Sequence, residues 1–140
     1  MNSRFARLRD LTFARLAAAA LLVLTGCTNP QITSPVGEWV AMGGDEGTLS
    51  IRPDGTFTMT GASYNPLQGR DSDSDFNATG RWITAREGTE VALDFEEATQ
   101  GPRDVEPRID FVPFRSGTLR FQDAEGLFDI EFRLVGRPSR

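Results

Sequence analysis

Thr48-Leu49-Ser50-Ile51-Arg52-Pro53-Asp54-Gly55-Thr56-Phe57-Thr58-Met59-Thr60 sets the period on which the rest of the chain is built. Leu49 and Ile51 alternate with polar residues on the way in, and Phe57 and Met59 alternate with threonines on the way out. That is the two-residue repeat of a half-buried strand. Between the runs, Pro53 presets φ for a turn, Asp54 offers its carboxylate to nearby backbone N–H groups, and Gly55 accepts positive φ. The stretch predicts a β-hairpin with Leu49, Ile51, Phe57 and Met59 facing inward.

The same alternation continues on both sides. Residues 37–42 (GEWVAM) form a first strand carrying Trp39, and residues 79–85 (TGRWITA) form one carrying Trp82. Val91, Leu93 and Phe95 share one face of residues 90–95, Ile109 and Phe111 one face of residues 108–112, and Leu119 and Phe121 one face of residues 118–122. Residues 127–134 close the series with Phe128, Ile130, Phe132 and Leu134 inward. Glycine-bearing turns sit at residues 86–88, 116–117 and 123–126, while residues 61–77 and 96–107 read as long polar loops. Residues 47–59 and 117–130 repeat one hairpin pattern, a Gly-Thr-Leu strand followed by an Asp/Gly turn and an aromatic return strand. No stretch after Cys27 carries a helical stripe. The expectation is an all-β domain, a small antiparallel meander of about eight strands. Closing it into a barrel removes two exposed edges. An eight-stranded barrel is just wide enough to be filled by side chains or to hold one small ligand. The bulk of the Phe and Trp set predicts a packed centre, with recognition by the rim and loops.

Gly37-Glu38-Trp39 at the head of this meander resembles the G-x-W that opens the first strand of lipocalin-like (calycin) barrels. The resemblance implies that Trp39 plugs one barrel end and that a basic residue late in the chain, Arg133 or Arg137, packs across it. The motif is three residues long, and Gly80-Arg81-Trp82 repeats it within the same chain.

Upstream, the composition changes. Residues 1–26 carry Arg4, Arg7, Arg9 and Arg15 against Asp10 alone, a net +3, and residues 16–24 are an apolar run of nine. Nine residues match the core of an export signal and fall well short of the ~20 that span a bilayer. Leu24-Thr25-Gly26-Cys27 follows at once, and this box resembles the lipobox of bacterial lipoproteins. The resemblance implies diacylglycerol on Cys27, cleavage before it by signal peptidase II, and an anchor on the extracytoplasmic face of a membrane. Thr28, not Asp, comes next, so the inner-membrane retention signal of some lipoproteins is absent and an outer membrane, where one exists, is the destination. A short membrane helix or a buried core helix is the alternative to the signal. The expected layout is a signal peptide over residues 1–26, a lipidated Cys27 with a polar tether over 27–35, and a barrel over 36–140.

Residues 27–140 carry 11 Arg against 19 acids, a net −8. That balance disfavours nucleic acid as a partner. The chain has no Lys and no His, which removes Schiff-base chemistry, the commonest general base and the commonest transition-metal ligand. Cys27 is the only cysteine, so neither a disulfide nor a cysteine zinc site forms within the chain.

Three constellations remain. Asp71, Asp73 and Asp75 resemble the start of a calcium loop, where alternate carboxylates converge on a hard cation. The pattern then fails, with Phe76 where Gly belongs and Trp82 where the closing Glu belongs, and a solvated acidic loop is the simpler reading. Glu96, Glu97, Asp104 and Glu106 offer paired carboxylates of the kind glycosidases use, but a barrel this small has little room for a sugar cleft. Arg70, Arg81, Arg103, Arg108, Arg115 and Arg120 alternate with apolar residues and read mostly as outward charges paired across strands. No catalytic residue, metal or cofactor is expected. The expected activity is non-catalytic binding of a small apolar ligand or an envelope partner; the alternative is inhibition or chaperoning of an envelope protein through loops at one barrel end.

Overall fold

A computed structural model describes residues 32–137; Cys27 and the Leu24-Thr25-Gly26 box lie outside the described residues. The strands are β1 (Gly37–Ala41), β2 (Thr48–Ile51), β3 (Thr56–Asn65), β4 (Arg70–Ala85), β5 (Glu90–Gln100), β6 (Arg103–Asp104), β7 (Ile109–Arg115), β8 (Thr118–Gln122) and β9 (Asp129–Gly136). Every pairing is antiparallel and nearly all join neighbours in sequence, while β1 also pairs with β9, with Trp39 opposite Leu134 and Ala41 opposite Phe132. Because β4 pairs with β5 and β5 with β7, the wall closes into an eight-stranded barrel, with the two-residue β6 as an extra pairing on the end of β5.

The hairpin that set the period forms with Leu49 opposite Met59 and Ile51 opposite Phe57. Its turn is closed by Gly55 N–H donating to Arg52 O at 3.2 Å. Thr56 donates both its N–H and its hydroxyl to Asp54, which holds the Asp54 carboxyl below the usual carboxylate range. The turns at residues 52–55, 86–89 and 116–117 gather at one end of the barrel with both termini of the domain; the longer connections gather at the other. Trp39 closes the hairpin end from inside. It is 1% exposed, its Nε1 donates to Pro35 O at 2.9 Å, and its ring meets Phe114 edge-on at 6.1 Å. Phe114 thus takes the place expected for an arginine; Arg133 and Arg137 are exposed. Gly37 has its own steric reason, since a Cβ there would lie 2.5 Å from both Gly136 O and Leu134 Cδ1 of β9.

The two long loops expected at residues 61–77 and 96–107 are instead mostly strand. β3 runs to Asn65, β4 starts at Arg70, and β5 runs to Gln100. Three register shifts hid them, one of them between Ala62 and Tyr64. In β3 the pairing steps between Met59 and Ala62, with Gly61 at φ +68°, so the inward residues are three apart rather than two. In β5 the register passes from Thr79↔Glu97 to Gly80↔Phe95, and Glu96 is the extra residue, so Phe95 and Ala98 both face in. Small residues mark the inner face here: Met59 opposes Ala78, Ala78 opposes Ala98, and Phe76 opposes Ala62.

Of the residues expected inside, Trp39, Leu49, Ile51, Phe57, Met59, Val91, Leu93, Phe95, Leu119, Phe121, Ile130 and Phe132 are buried, and Trp82 and Leu134 are half-buried against them. Ile109, Phe111 and Phe128 are not. β7 has the opposite phase, with Val112 and Phe114 inside and Ile109 and Phe111 52% and 57% exposed. Phe128 precedes β9 in a turn and is exposed. Tyr64, Leu67, Phe76 and Val105 complete the core, and Leu67 and Val105 close the open end.

Candidate functional site

The centre of the barrel is occupied by its own side chains. Phe57 meets Phe95 at 5.1 Å, Phe76 meets Phe95 at 6.2 Å and Phe121 meets Phe132 at 5.7 Å, each pair edge-to-face. Such contacts add about 0.5–1.5 kcal/mol per pair to the burial itself. Concave surface is found on the wall and at the open end instead. A cleft of about 450 Å³ separates β7 from β8, and a recess of about 360 Å³ continues from it under the turn at residues 66–69.

The cleft has a cause in the sequence. β7 and β8 pair only at Phe114↔Leu119 and Arg115↔Thr118, next to their tight turn, where Ser116 and Gly117 both have positive φ. The next hydrogen-bonded pair would join residues 113 and 120, and Pro113 has no N–H to give. The ladder stops there and the strands part, while β7 stays paired with β5 over five residues and β8 with β9 over five. Asp110, Val112 and Phe121 line the inner side of the cleft with Asp123, and Phe111, Arg120 and Glu131 line it farther out. Arg120 Nε donates to Asp129 Oδ2 at 2.8 Å, so its charge is already matched. Burial raises the Asp110 carboxyl above the usual carboxylate range, against the opposing pull of the Arg108 charge and the Phe111 N–H.

Two polar side chains beside the recess are buried without partners among the described residues. Asn65 Oδ1 accepts from Leu67 N–H at 3.0 Å and Gln68 N–H at 3.1 Å, building the turn, but its Nδ2 donates to nothing. Tyr64 is 1% exposed and its hydroxyl is unpaired. Burial first, and then the carboxylates of Asp123, Asp110, Asp129 and Asp71, push that hydroxyl up to about 12. A phenol whose folded value lies above its unfolded value near 10 leaves stability at its full level below pH 10 and lowers it as pH rises to 12. Tyr64→Phe is therefore expected to hold or raise stability at pH 7, by up to about 1 kcal/mol, and to flatten the decline between pH 10 and 12. Urea midpoints at pH 7 and 11 measure both, and a loss of more than about 1 kcal/mol at pH 7 would reveal a partner for the hydroxyl.

The other expected sites are not drawn together. Asp71, Asp73 and Asp75 occupy β4, all exposed on one face at two-residue intervals. Consecutive carboxylates on such a face are about 6.6 Å apart along the strand, too widely strung for three to converge on one ion. Among the described residues no three carboxylates are grouped to hold a metal. Glu96 and Glu97 are both exposed at the β5 bulge, where Arg81 pairs with Glu96 at 3.0 Å. Asp104 is exposed on β6 and Glu106 beyond it. Of the arginines, Arg81 and Arg120 pair across strands as expected, Arg70 holds Gln68 Oε1 at 2.7 Å, and Arg108 donates to Pro66 O at 3.3 Å.

Compared with protein families, with characterised proteins and with solved structures, the chain matches none. Its function has to be read from its own residues.

Proposed function

We propose that the protein is a lipid-anchored envelope lipoprotein whose barrel binds another protein, without catalysis, through the β7–β8 cleft and the apolar side chains around it. The observation that carries this reading is the contrast between inside and outside. Large side chains fill the centre, whereas Ile109, Phe111, Leu127 and Phe128 are exposed on β7 and in the β8–β9 loop. Phe128 is tied to the cleft wall, since Asp123 N–H donates to its carbonyl and its own N–H donates to Asp123 Oδ1 at 2.9 Å. Exposed apolar groups rimmed by charge are what protein-binding surfaces present. The lipobox at Leu24-Thr25-Gly26-Cys27 supports the anchor, and the lack of Lys and His supports a binding role over an enzymatic one.

Two measurements test the reading together. Titration with a fluorescent fatty acid is expected to give no saturable uptake, because the interior is full. A photo-reactive amino acid at Phe111 is expected to give a discrete protein adduct in intact cells, and one at Thr48, exposed on β2 across the barrel, none. Stoichiometric fatty-acid binding would replace protein recognition by ligand carriage.

A further inference from the structure

We propose that the open β7–β8 seam receives an extended segment of the partner protein as an added strand, with basic side chains facing in and apolar ones facing out. This rests on the protein-binding reading above and specifies what is bound. Strand geometry fixes which backbone groups the seam leaves free. Phe114 N–H donates to Thr89 O, and Arg108 O accepts from Phe95 N–H, so the even-numbered groups along β7 face β5. The odd-numbered ones, at Ile109, Phe111 and Pro113, face the seam. On β8, Thr118 pairs with Arg115, so Arg120 and Gln122 face the seam from the other side. Among the described residues neither set has a ladder partner across the gap. A closed barrel otherwise has no such edges, and unpaired edges are templates for another strand. The free stretch of β7, residues 109–113, is about 16 Å long at 3.3 Å per residue, which suits a guest of four or five residues.

The side chains set the guest's pattern. A strand beside β7 sends alternate side chains to the two faces of the wall. Outward ones meet Ile109 and Phe111, both exposed and apolar. Inward ones meet Asp110 and Asp123, with Val112 and Phe121 beneath. Arg120 is already matched by Asp129, and in the recess Arg108 stands against Asp110, Asp123 and Glu125, so acid is in excess where the inward side chains arrive. The buried, unpaired Tyr64 hydroxyl lies within the field of the same two carboxylates. Lysine or arginine inside and aliphatic or aromatic residues outside complement both faces.

The probe is a random peptide library displayed on phage, selected against the full-length protein in mild detergent. Enriched sequences are expected to alternate basic and apolar residues over at least four positions. Synthetic copies are expected to lose binding at least tenfold when the amides on one edge are N-methylated. Pro113→Val, which restores the missing donor and lets the seam zip, is expected to weaken binding at least tenfold with no loss of thermal stability. Asp110→Asn with Asp123→Asn is expected to weaken binding and lessen its salt dependence. The proposal is overturned by selection without this alternation, by indifference to N-methylation, or by undiminished binding to a well-folded Pro113→Val. A seam that selects nothing while position 111 still cross-links a partner in cells would discard the added strand and keep protein binding. Stoichiometric fatty-acid uptake would discard both.

Discussion

Gly80→Ala is expected to destabilise the domain by about 3 kcal/mol or more and to lower its melting temperature by roughly 12 °C or more. Gly80 sits at the β4–β5 bulge, opposite Phe95. A Cβ built there would run into the carbonyl oxygen of Asp94 and come within 2.9 Å of Phe57 Cε1. Neither neighbour can step aside. The Asp94 carbonyl belongs to a strand paired on both sides, and the Phe57 ring is held edge-on against Phe95 at 5.1 Å. Gly136→Ala is the control, because a Cβ there meets nothing within 4 Å, and its cost should stay within about 0.5 kcal/mol. Circular-dichroism melts of the two variants beside the wild type decide it. A Gly80 variant that melts within about 2 °C of wild type would mean that β4 and β5 do not approach as described.

Gly80 also shows what could be read from the sequence and what could not. Alternation of large apolar residues found β1, β2, β8 and the cores of β3, β5 and β9, because Leu, Ile, Phe and Met mark a face whatever else surrounds them. It failed wherever the inner face is made of small residues, as at Ala62, Ala78, Gly80 and Ala98, and wherever a bulge resets the period. Glu96-Glu97 looked like loop because two adjacent exposed carboxylates break a two-residue repeat; a bulge does the same without ending the strand. β7 was ambiguous for another reason. Its sequence, IDFVPFR, places apolar residues in both phases. The two-residue turn resolves it, since pairing Arg115 with Thr118 sets Phe114 opposite Leu119, and Leu119 belongs to the inward set. Turn geometry outweighs the apolar count, and this puts Phe111 outside. Pro113 was legible as a ladder breaker only once that register was known, so the cleft, unlike the barrel, could not be foreseen from pattern alone.

Cys27→Ser is expected to have the largest effect on where the protein resides. Burial of acyl chain contributes about 0.8 kcal/mol per CH₂, so one chain holds a protein only marginally and two hold it stably. On the proposed reading, diacylglycerol at Cys27 supplies two, and serine at that position would supply none. In a detergent phase separation the wild type should partition with detergent, and the variant should move to the aqueous phase or persist as a heavier, uncleaved precursor. The fold adds a direction to this anchor. Ile32 packs against the core at the β7–β8 turn, where a Cβ on Gly117 would come within 2.8 Å of its Cδ1. Ile32 is five Cα steps from Cys27, a reach of at most about 18 Å. An anchored barrel would therefore hold its hairpin end, closed by Trp39, near the lipid, and its acidic open end away from it. The β7–β8 seam opens toward that distal end, where a partner's extended segment can approach without crossing the headgroups. A variant at mature mass that still partitions wholly with detergent would refute the lipobox, and with it this orientation, while leaving the barrel and its seam as they stand.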